Sequence, residues 1–444
     1  MATYQLNAAD LLTLLASTVT ASTEQNIIDA LTAAGKMPSG SQTINVQTNE
    51  GPPDSSGVFD DTIASGIDLE LITTSHSSTV PGANFPTPTV GPSMPSATYN
   101  FKSSGGVVIA TGDQAVTIND VDGGSAADTL VSGAGYQHYS YTGPSTVLKA
   151  GSGNQTVAGG TSTSSHDTLV GGSGASYLQV SQGDNRLIGG TGANTLVGGS
   201  GNDTLLGGGS SSLIAGTGTS RLVGGTVSGS HDTLIGGIGN DTLLVKTGNN
   251  SLVGGSGLNT LKAGVGSDTL VGGGQSRLVA FGGNTTMFTS ATGPGDTLIG
   301  GSGDDVMTAF RGDNRIVTGS GHNTITLGAG NDTVVAANSQ GSLLVNIGSG
   351  NARIVDEFGA KASIVGGAGT ANVVLGFKGD DTIVGGTGSI DITSLHSAGE
   401  LVSNSSTAVG GLHTLTFSDG QTITINDVNS NITIHFAGGG TTAV

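Results

Sequence analysis

Cysteine and tryptophan are absent from the 444 residues, and phenylalanine and tyrosine together make up only 4% of them. The absence of cysteine excludes disulfide bonds, thiolate metal sites and a cysteine nucleophile. Large aromatic side chains fill the cores of many globular proteins, and a chain with so few of them must bury its surface in another way. We therefore expect a narrow core built from aliphatic side chains.

Basic residues are also scarce. Lysine and arginine number 13 against 32 aspartates and glutamates, which gives a formal net charge of −19. This balance argues against nucleic acid or an anionic membrane as the partner and favours cations, with calcium as the first candidate. No run of eighteen apolar residues occurs, so we expect no transmembrane segment. The amino terminus lacks the features of a cleaved export signal, so the protein is either cytoplasmic or exported by a route encoded elsewhere in the chain.

The first hundred residues differ from the rest of the chain. Residues 1–36 predict two short helices, because an LLTLL patch is followed by a second apolar stretch that ends at Gly35. Residues 37–104 contain eight of the ten prolines among serine, threonine and asparagine, which is typical of a linker with some irregular β structure.

Glycine is both abundant and periodic. The chain has 80 glycines, and a nine-residue unit recurs, most clearly as GGSGNDTLL at 198–206 and GGIGNDTLL at 236–244. Glycines permit a tight turn and the second half of the unit suits a short strand, so each unit predicts one turn and one strand. Stacked units would bury their eighth residues in aliphatic ladders. This predicted core includes Leu205, Leu234, Leu243, Leu270, Leu298, Ile316 and Val334.

These units resemble the repeats of the RTX, or haemolysin-type calcium-binding, family. The resemblance implies an all-β fold over residues 105–393, a right-handed parallel β-roll or β-helix solenoid with two units per coil and calcium between successive turns. Many members are exported by type I secretion with an uncleaved carboxy-terminal signal, so it also implies a secreted, extracellular or cell-surface protein.

The flanks of the roll resemble each other. GDQAVTINDV at 112–121 nearly matches DGQTITINDV at 419–428, and we expect both to be β caps. The second lies in a predicted hairpin with its turn at Asp419 and Gly420. Residues 394–444 are therefore expected to form a β cap and, with their uncharged apolar end, to contain the secretion signal.

A longer period is superimposed on the nine-residue unit. GGTSTSSHDTLV at 159–170 returns as GGTVSGSHDTLI at 224–235, a spacing of 65 residues. One such block holds seven units. Because seven is odd, equivalent residues should change sides of the roll from block to block if each coil holds two units.

The acids at the sixth position of the unit are the candidate calcium ligands, since Ca²⁺ prefers carboxylate and carbonyl oxygens and glycine-rich turns offer carbonyls. Units that meet on one side of a roll are two apart in sequence, and in that register no two neighbours both carry aspartate. Fewer carboxylates per turn predict weaker calcium binding. As an alternative, stacked Asp and Asn side chains can hydrogen-bond to backbone amides without any metal. The candidates are Asp128, Asp167, Asp203, Asp232, Asp241, Asp268, Asp296, Asp305, Asp332 and Asp381. The facing positions hold Asn185, Asn194, Asn250, Asn259, Asn314 and Asn323, or serine and threonine.

Two further positions should point outward from the strands. Position nine carries an apolar row that either merely suits β structure or awaits a second layer. Position seven carries five of the six arginines, which either pair with carboxylates of a neighbouring molecule or aid solubility. The apolar row comprises Val170, Val197, Leu206, Val223, Ile235, Leu244, Val253, Val271, Ile299, Val317, Val335 and Val384, and the arginines are Arg186, Arg221, Arg277, Arg315 and Arg353.

The roll accounts for most of the chain, so we expect a structural protein and not an enzyme. The leading hypothesis is a secreted calcium-binding protein that assembles as a homo-oligomer or polymer into a cell-surface layer, filament or extracellular matrix, with cell-surface polysaccharide as a further partner. An adhesin or ice-binding solenoid is the first alternative, because threonine forms rows at position seven that arginine and serine interrupt. A polysaccharide lyase or epimerase is the second, because parallel β-helices host such enzymes, although no acid and base cluster stands apart from the repeat.

Overall fold

The computed structural model divides into two compact units, Met1–Val227 and Ser228–Val444, which are considered separately. The structure describes residues 2–19, 21–38, 42–49, 58–62, 67–72, 97–102, 108–111, 116–120, 129–133, 135, 137–141, 145–337, 341–406, 411–426 and 432–443.

The described part of the first unit contains two helices and eighteen short strands. The helices are α1 (Ala8–Thr18) and α2 (Ala21–Ala33). The strands are β1 (Ala2–Leu6), β2 (Ile44–Asn49), β3 (Val58–Thr62), β4 (Leu69–Ile72), β5 (Ala97–Lys102), β6 (Val108–Thr111), β7 (Val116–Asp120), β8 (Thr129–Val131), β9 (Gln137–Ser140), β10 (Val147–Lys149), β11 (Gln155–Gly159), β12 (Thr168–Val170), β13 (Ser176–Val180), β14 (Arg186–Ile188), β15 (Asn194–Ser200), β16 (Thr204–Leu206), β17 (Ser211–Thr217) and β18 (Arg221–Val223).

These strands form two parallel ladders. The even-numbered strands from β2 to β18 pair in succession, and the odd-numbered strands from β3 to β17 do the same. Each coil therefore contributes one strand to each ladder, which confirms the parallel β-solenoid with two units per coil. β1 pairs antiparallel with β2 at the beginning of the even ladder.

The ladders begin earlier than the repeats do. Residues 37–104, expected to be a linker, contain β2 to β5, which belong to the same two ladders. Five of the prolines of this segment lie between 73 and 96, outside the described residues. The segment 112–121 was expected to be a cap, and this is wrong: its strand β7 pairs in parallel with β5 and β9 on either side.

The two helices pack against the first coils. Asn7 caps α1 by accepting hydrogen bonds from the backbone N–H groups of Ala9 and Asp10, and α2 is followed by Gly35, whose φ of 68° ends the helical path. Three leucines of α1 and three apolar residues of α2 join Ile44, Val46 and Leu69 in one buried cluster, namely Leu11, Leu14, Leu15, Ile27, Ala30 and Leu31. That cluster also includes Val131, which occupies position nine of its unit and is fully buried. The helices thus cover part of the outward apolar row.

The described part of the second unit contains a 3-10 helix (Ala398–Glu400) and 23 strands. They are β19 (Thr233–Ile238), β20 (Thr242–Leu244), β21 (Ser251–Val253), β22 (Thr260–Lys262), β23 (Thr269–Val271), β24 (Arg277–Val279), β25 (Thr286–Phe288), β26 (Thr297–Ile299), β27 (Val306–Arg311), β28 (Arg315–Val317), β29 (Gly321–Ala329), β30 (Asn331–Val335), β31 (Gly341–Asn346), β32 (Asn351–Asp356), β33 (Lys361–Val365), β34 (Ala371–Leu375), β35 (Asp381–Val384), β36 (Ile390–Ser397), β37 (Leu401–Ser406), β38 (Leu412–Phe417), β39 (Thr422–Asn426), β40 (Ile432–Ala437) and β41 (Thr441–Ala443).

The second unit repeats the two-ladder arrangement and ends in antiparallel strands. Even strands β20 to β36 continue into β40, and odd strands β19 to β35 continue into β39. β41 then pairs antiparallel with β40, and β38 and β37 follow β39 in the same way. The hairpin between β38 and β39 turns at Asp419 and Gly420, as its sequence predicted, with a φ of 91° at Gly420.

The core consists of the eighth residues of the units, as the repeat predicted. Leu205 in the first unit and Leu270 in the second are fully buried, and so are the other predicted core residues. Burying one such side chain contributes about 2 kcal/mol, so the stacked rows are the main apolar stabilisation of the roll. Within the described residues, neither helix has the length and apolar character needed to span a bilayer.

Equivalent residues of successive 65-residue blocks lie in different ladders. This agrees with the prediction from the seven units, an odd number, in each block. In the second unit, Asn250 precedes β21 of the odd ladder, whereas its equivalent Asn314 precedes β28 of the even ladder. The longer and shorter repeat variants are absorbed in the turns and leave the alternation of strands unchanged.

Candidate metal-binding turns

Nine of the ten candidate aspartates are among the described residues, at the junction of a turn and the strand that follows it, and all nine are at most 3% exposed. Asp128 lies outside the described residues. The nine carboxylates face the interior of the turn, next to the aliphatic rows. Within the described part of the chain, no three acidic or histidine side chains come together in a cluster able to hold a metal ion.

The sixth-position side chains of the first unit form a hydrogen-bonded column. Asp203 Oδ1 accepts the backbone N–H of Asn185 at 2.9 Å and the Asn185 side-chain amide at 3.1 Å. Asn185 Oδ1 in turn accepts the backbone N–H of Asp167 at 2.9 Å, and Asp167 Oδ1 accepts that of Thr146 at 2.6 Å. Each side chain therefore closes the turn of the preceding coil.

The second unit repeats this column. Asn314 Oδ1 accepts the backbone N–H of Asp296 at 2.8 Å, while the Asn314 N–H and side-chain amide donate to Asp332 Oδ1 at 3.0 and 2.9 Å. Asn250 binds Asp268 Oδ1 in the same two ways, at 2.8 and 2.9 Å. Each asparagine thus donates hydrogen bonds to the buried carboxylate of the following coil and links the two turns.

Aspartates in a column are separated by at least one coil, which the sequence predicted. Asp167 and Asp203 stand on either side of Asn185, and Asp268 is followed by Thr285 in the coil that pairs with it. Two carboxylates one coil apart in the interior would repel each other, and the intervening amide or hydroxyl removes that repulsion. The alternation lets one oxygen of a buried carboxylate, such as Asp203 Oδ1, accept hydrogen bonds from the neighbouring turn, while Asp203 Oδ2 is left without a donor.

Burial without a positive partner raises the pKa of several of these carboxyl groups. Desolvation raises the pKa of Asp203 from its ordinary 3.8 to about 6. Desolvation, helped by the nearby Asp356 carboxylate, raises the pKa of Asp381 to about 7. The pKa values of Asp296, Asp305 and Asp332 are raised for the same main reason. Their ionised forms would be stabilised by a bound cation.

Metal-free protein should consequently lose stability as the pH rises. The folded state holds its protons more tightly than the unfolded chain, so this stabilisation is complete below about pH 4 and is lost as the pH passes 6 for Asp203 and 7 for Asp381. Urea midpoints measured in chelator at pH 4, 5.5 and 7 should decrease in that order. Asp203→Asn, which places at this site the residue found in alternate turns, should reduce the decrease between pH 4 and 6. A midpoint that rises with pH in chelator would contradict the burial of charge inferred here.

The glycines of the turns let a buried carboxylate and a carbonyl oxygen approach the backbone closely. Asp203 Oδ2 is buried and meets no hydrogen-bond donor. A Cβ added to Gly198 would lie 2.6 Å from that oxygen and 2.9 Å from the carbonyl oxygen of Ala215, too close for a carbon atom. A Cβ added to Gly236 would likewise meet Asp241 Oδ2 at 2.7 Å and the Gly254 carbonyl oxygen at 2.5 Å. Carboxylate and carbonyl oxygens are the ligands that Ca²⁺ prefers, so the chemistry of these donors fits calcium.

A second, exposed column at position five was not predicted. Asp184 Oδ1 accepts the backbone N–H of Asn202 at 2.7 Å, and Asn202 Oδ1 accepts that of Thr219 at 2.9 Å. In this column each side chain reaches the following coil, whereas the buried column reaches the preceding one. The recurrence of Asn and Asp at the fifth residue was the signal, and its other members include Asn154, Asn240, Asn249, Asn284, Asp304, Asp313, Asn331 and Asn351.

Positions seven and nine of the unit point outward from the strands, as the sequence predicted. The residues predicted for the apolar row at position nine are all half-buried, and the five position-seven arginines are exposed. All five arginines belong to even-numbered strands, β14, β18, β24, β28 and β32. The threonine row of the odd-numbered strands is interrupted instead by Tyr177, Val306 and Leu344. In each unit, the outer surface of the even strands therefore differs in charge from that of the odd strands.

Comparison with known families agrees with the repeat pattern. A family model of the RTX calcium-binding nonapeptide repeat, four copies long, matches residues 161–190, 180–214, 246–278, 295–325, 308–339 and 363–389. No curated protein matches the chain.

Proposed function

We propose that the protein is a secreted structural component that assembles with calcium into a cell-surface layer or extracellular matrix, since its repeats match the family model of the RTX calcium-binding nonapeptide repeat. The observation that carries the proposal is the outward apolar row of position nine, whose predicted members are all half-buried along both ladders of each unit. At Val131 the row is fully buried beneath α1 and α2. A surface that already accepts one apolar layer is suited to accept another.

The odd-numbered strands offer the better surface for a second copy. From β19 to β25 their positions seven and nine carry threonine, serine, aliphatic residues and Phe288, with no charge. In a chain of net charge −19, association through an uncharged surface avoids burying carboxylates. We assign the copy-to-copy contact to this surface, which we call the odd-strand face.

Calcium would act within each molecule. The proposed ligands are the sixth-position aspartates, with Asp203 and the Ala215 carbonyl oxygen as the best-defined pair. A bound ion would neutralise buried carboxylates and lower the net negative charge that keeps copies apart. The roll itself would need few ions, because the Asp and Asn columns already satisfy most turns with hydrogen bonds.

Electron microscopy of the purified protein tests the assembly. With millimolar calcium we expect ordered layers that disperse in chelator. Val253→Lys places a charge on the odd-strand face and should abolish the layers, whereas Ser267→Lys, on an exposed turn, should leave them intact. Circular dichroism would show that both variants are folded. Monomers in both calcium and chelator, or layers unaffected by Val253→Lys, would overturn the proposal.

A further inference from the structure

The position-seven arginines of the second unit form one row. Arg277, Thr297 and Arg315 lie opposite one another on β24, β26 and β28. Thr333 and Arg353 continue the row on β30 and β32. Arginine and threonine therefore alternate over five consecutive even strands, which we call the arginine row. In the first unit Arg186, Thr204 and Arg221 alternate in the same way.

The guanidinium groups of the arginine row are available for a ligand. The three arginines are exposed, and within the described residues none of them forms an ion pair. Asp313 stands two residues before Arg315, but its carboxylate accepts the backbone and side-chain N–H groups of Asn331 at 2.8 and 3.3 Å. Within the described residues, the guanidinium groups therefore have no carboxylate within ion-pair distance.

The spacing of the row suits a polymer. Neighbouring strands lie about 4.8 Å apart, so successive arginines stand about 10 Å apart with a threonine hydroxyl between them. A guanidinium binds a carboxylate or sulfate with two parallel hydrogen bonds, and a hydroxyl both donates to and accepts from sugar hydroxyls. A linear chain of sugars with an anionic group on every second residue presents these partners in the same alternation.

A second copy of the protein fits the row less well. The exposed acids at position five include Asp184, Asp304 and Asp313, and among the described residues no two of these acids follow each other in the same column of turns. They offer no continuous row of carboxylates at the position-seven spacing.

We propose that the arginine row binds a linear anionic polysaccharide. This proposal rests on the proposed function at the cell surface and names the partner there. Binding of a soluble polymer by dilute protein requires no assembly, so polysaccharide binding can succeed or fail separately from layer formation.

The test measures binding at low ionic strength by titration calorimetry. Hyaluronan supplies one carboxylate per disaccharide, dextran sulfate supplies sulfate, uncharged dextran is the negative control, and double-stranded DNA represents another class of polyanion. The variant combines Arg277→Gln, Arg315→Gln and Arg353→Gln. Its matched control combines Arg311→Gln, Lys361→Gln and Lys378→Gln, which removes the same charge from exposed positions outside the row.

We expect hyaluronan or dextran sulfate to bind and uncharged dextran not to bind. The anionic polymer that binds more tightly shows whether the row prefers carboxylate or sulfate. The row variant should bind at least about tenfold more weakly, and the control variant should stay within about twofold of the parent. Absence of binding by both polymers, equal losses in the two variants, or DNA binding as tight as that of the polysaccharide would each overturn the proposal. Circular dichroism confirms that the variants are folded.

Discussion

Gly319→Ala is expected to lower the free energy of unfolding by at least about 3 kcal/mol, a large effect for one methyl group. Gly319 lies in a turn whose next residue, Ser320, donates its N–H to the carbonyl oxygen of Gly301 in the preceding coil at 3.1 Å. A Cβ at residue 319 would overlap that carbonyl group, which is backbone and has little freedom to move. The two coils would have to separate, and the hydrogen bond between them would be lost.

Urea denaturation followed by circular dichroism measures this loss. Gly293→Ala is the matched control, because the atoms nearest to its added Cβ are 3.5 Å away or more, an ordinary contact distance. The control should change stability by less than about 0.5 kcal/mol. Equal stability of the two variants would show that the coils are less tightly stacked than described.

Asn314→Asp is expected to have opposite effects in chelator and in calcium. In chelator the new carboxylate lies between Asp296 and Asp332, loses the amide that donates to Asp332, and faces the carbonyl oxygens of Arg311 and Gly312. We expect a loss of about 3 kcal/mol, typical of a buried charge without a partner. With calcium, three successive carboxylates should bind the ion at least about tenfold more tightly than the parent does, because affinity rises with ligand charge.

The pair of measurements is a calcium titration and urea denaturation with and without chelator. Asn249→Asp serves as the control, since Asn249 is exposed and its Oδ1 only accepts the N–H of Ser267, which a carboxylate also does. It should alter neither quantity appreciably. If Asn314→Asp were as stable as the parent in chelator, the amide of Asn314 would not be holding the buried column together.

The repeat made much of the fold predictable, because each unit encodes its own turn and strand. Glycine supplies the turn and the eighth residue supplies the core, so the ladders around Leu205 and Leu270 follow from sequence alone. Strands β2 to β5 were expected only as irregular β structure within a linker, since they lack the glycine pair and the regular aliphatic position, and their pairing comes from stacking on neighbouring coils. For the same reason, the cap expected at 112–121 is a strand within a ladder.

The candidate site was predictable in its residues and less so in its geometry. The sixth-position aspartates and the asparagines between them were identified, but not the direction in which each side chain reaches along the roll. That direction depends on whether the preceding or the following coil has an unpaired backbone N–H. Asn185 reaches the preceding coil, whereas Asn202 reaches the following one. Which ladder receives each arginine depends on the number of coils that precede it, and the first coils carry no repeat signature from which to count.

The ladders of both units end in short antiparallel strands. β1 ends the even ladder of the first unit, and β37 and β41 end the two ladders of the second, each pairing antiparallel where the coils pair in parallel. Short strands at the edge of a sheet are one way in which proteins reduce strand addition by another molecule. If copies assemble as we propose, contacts through the odd-strand face are therefore favoured over end-to-end addition of strands.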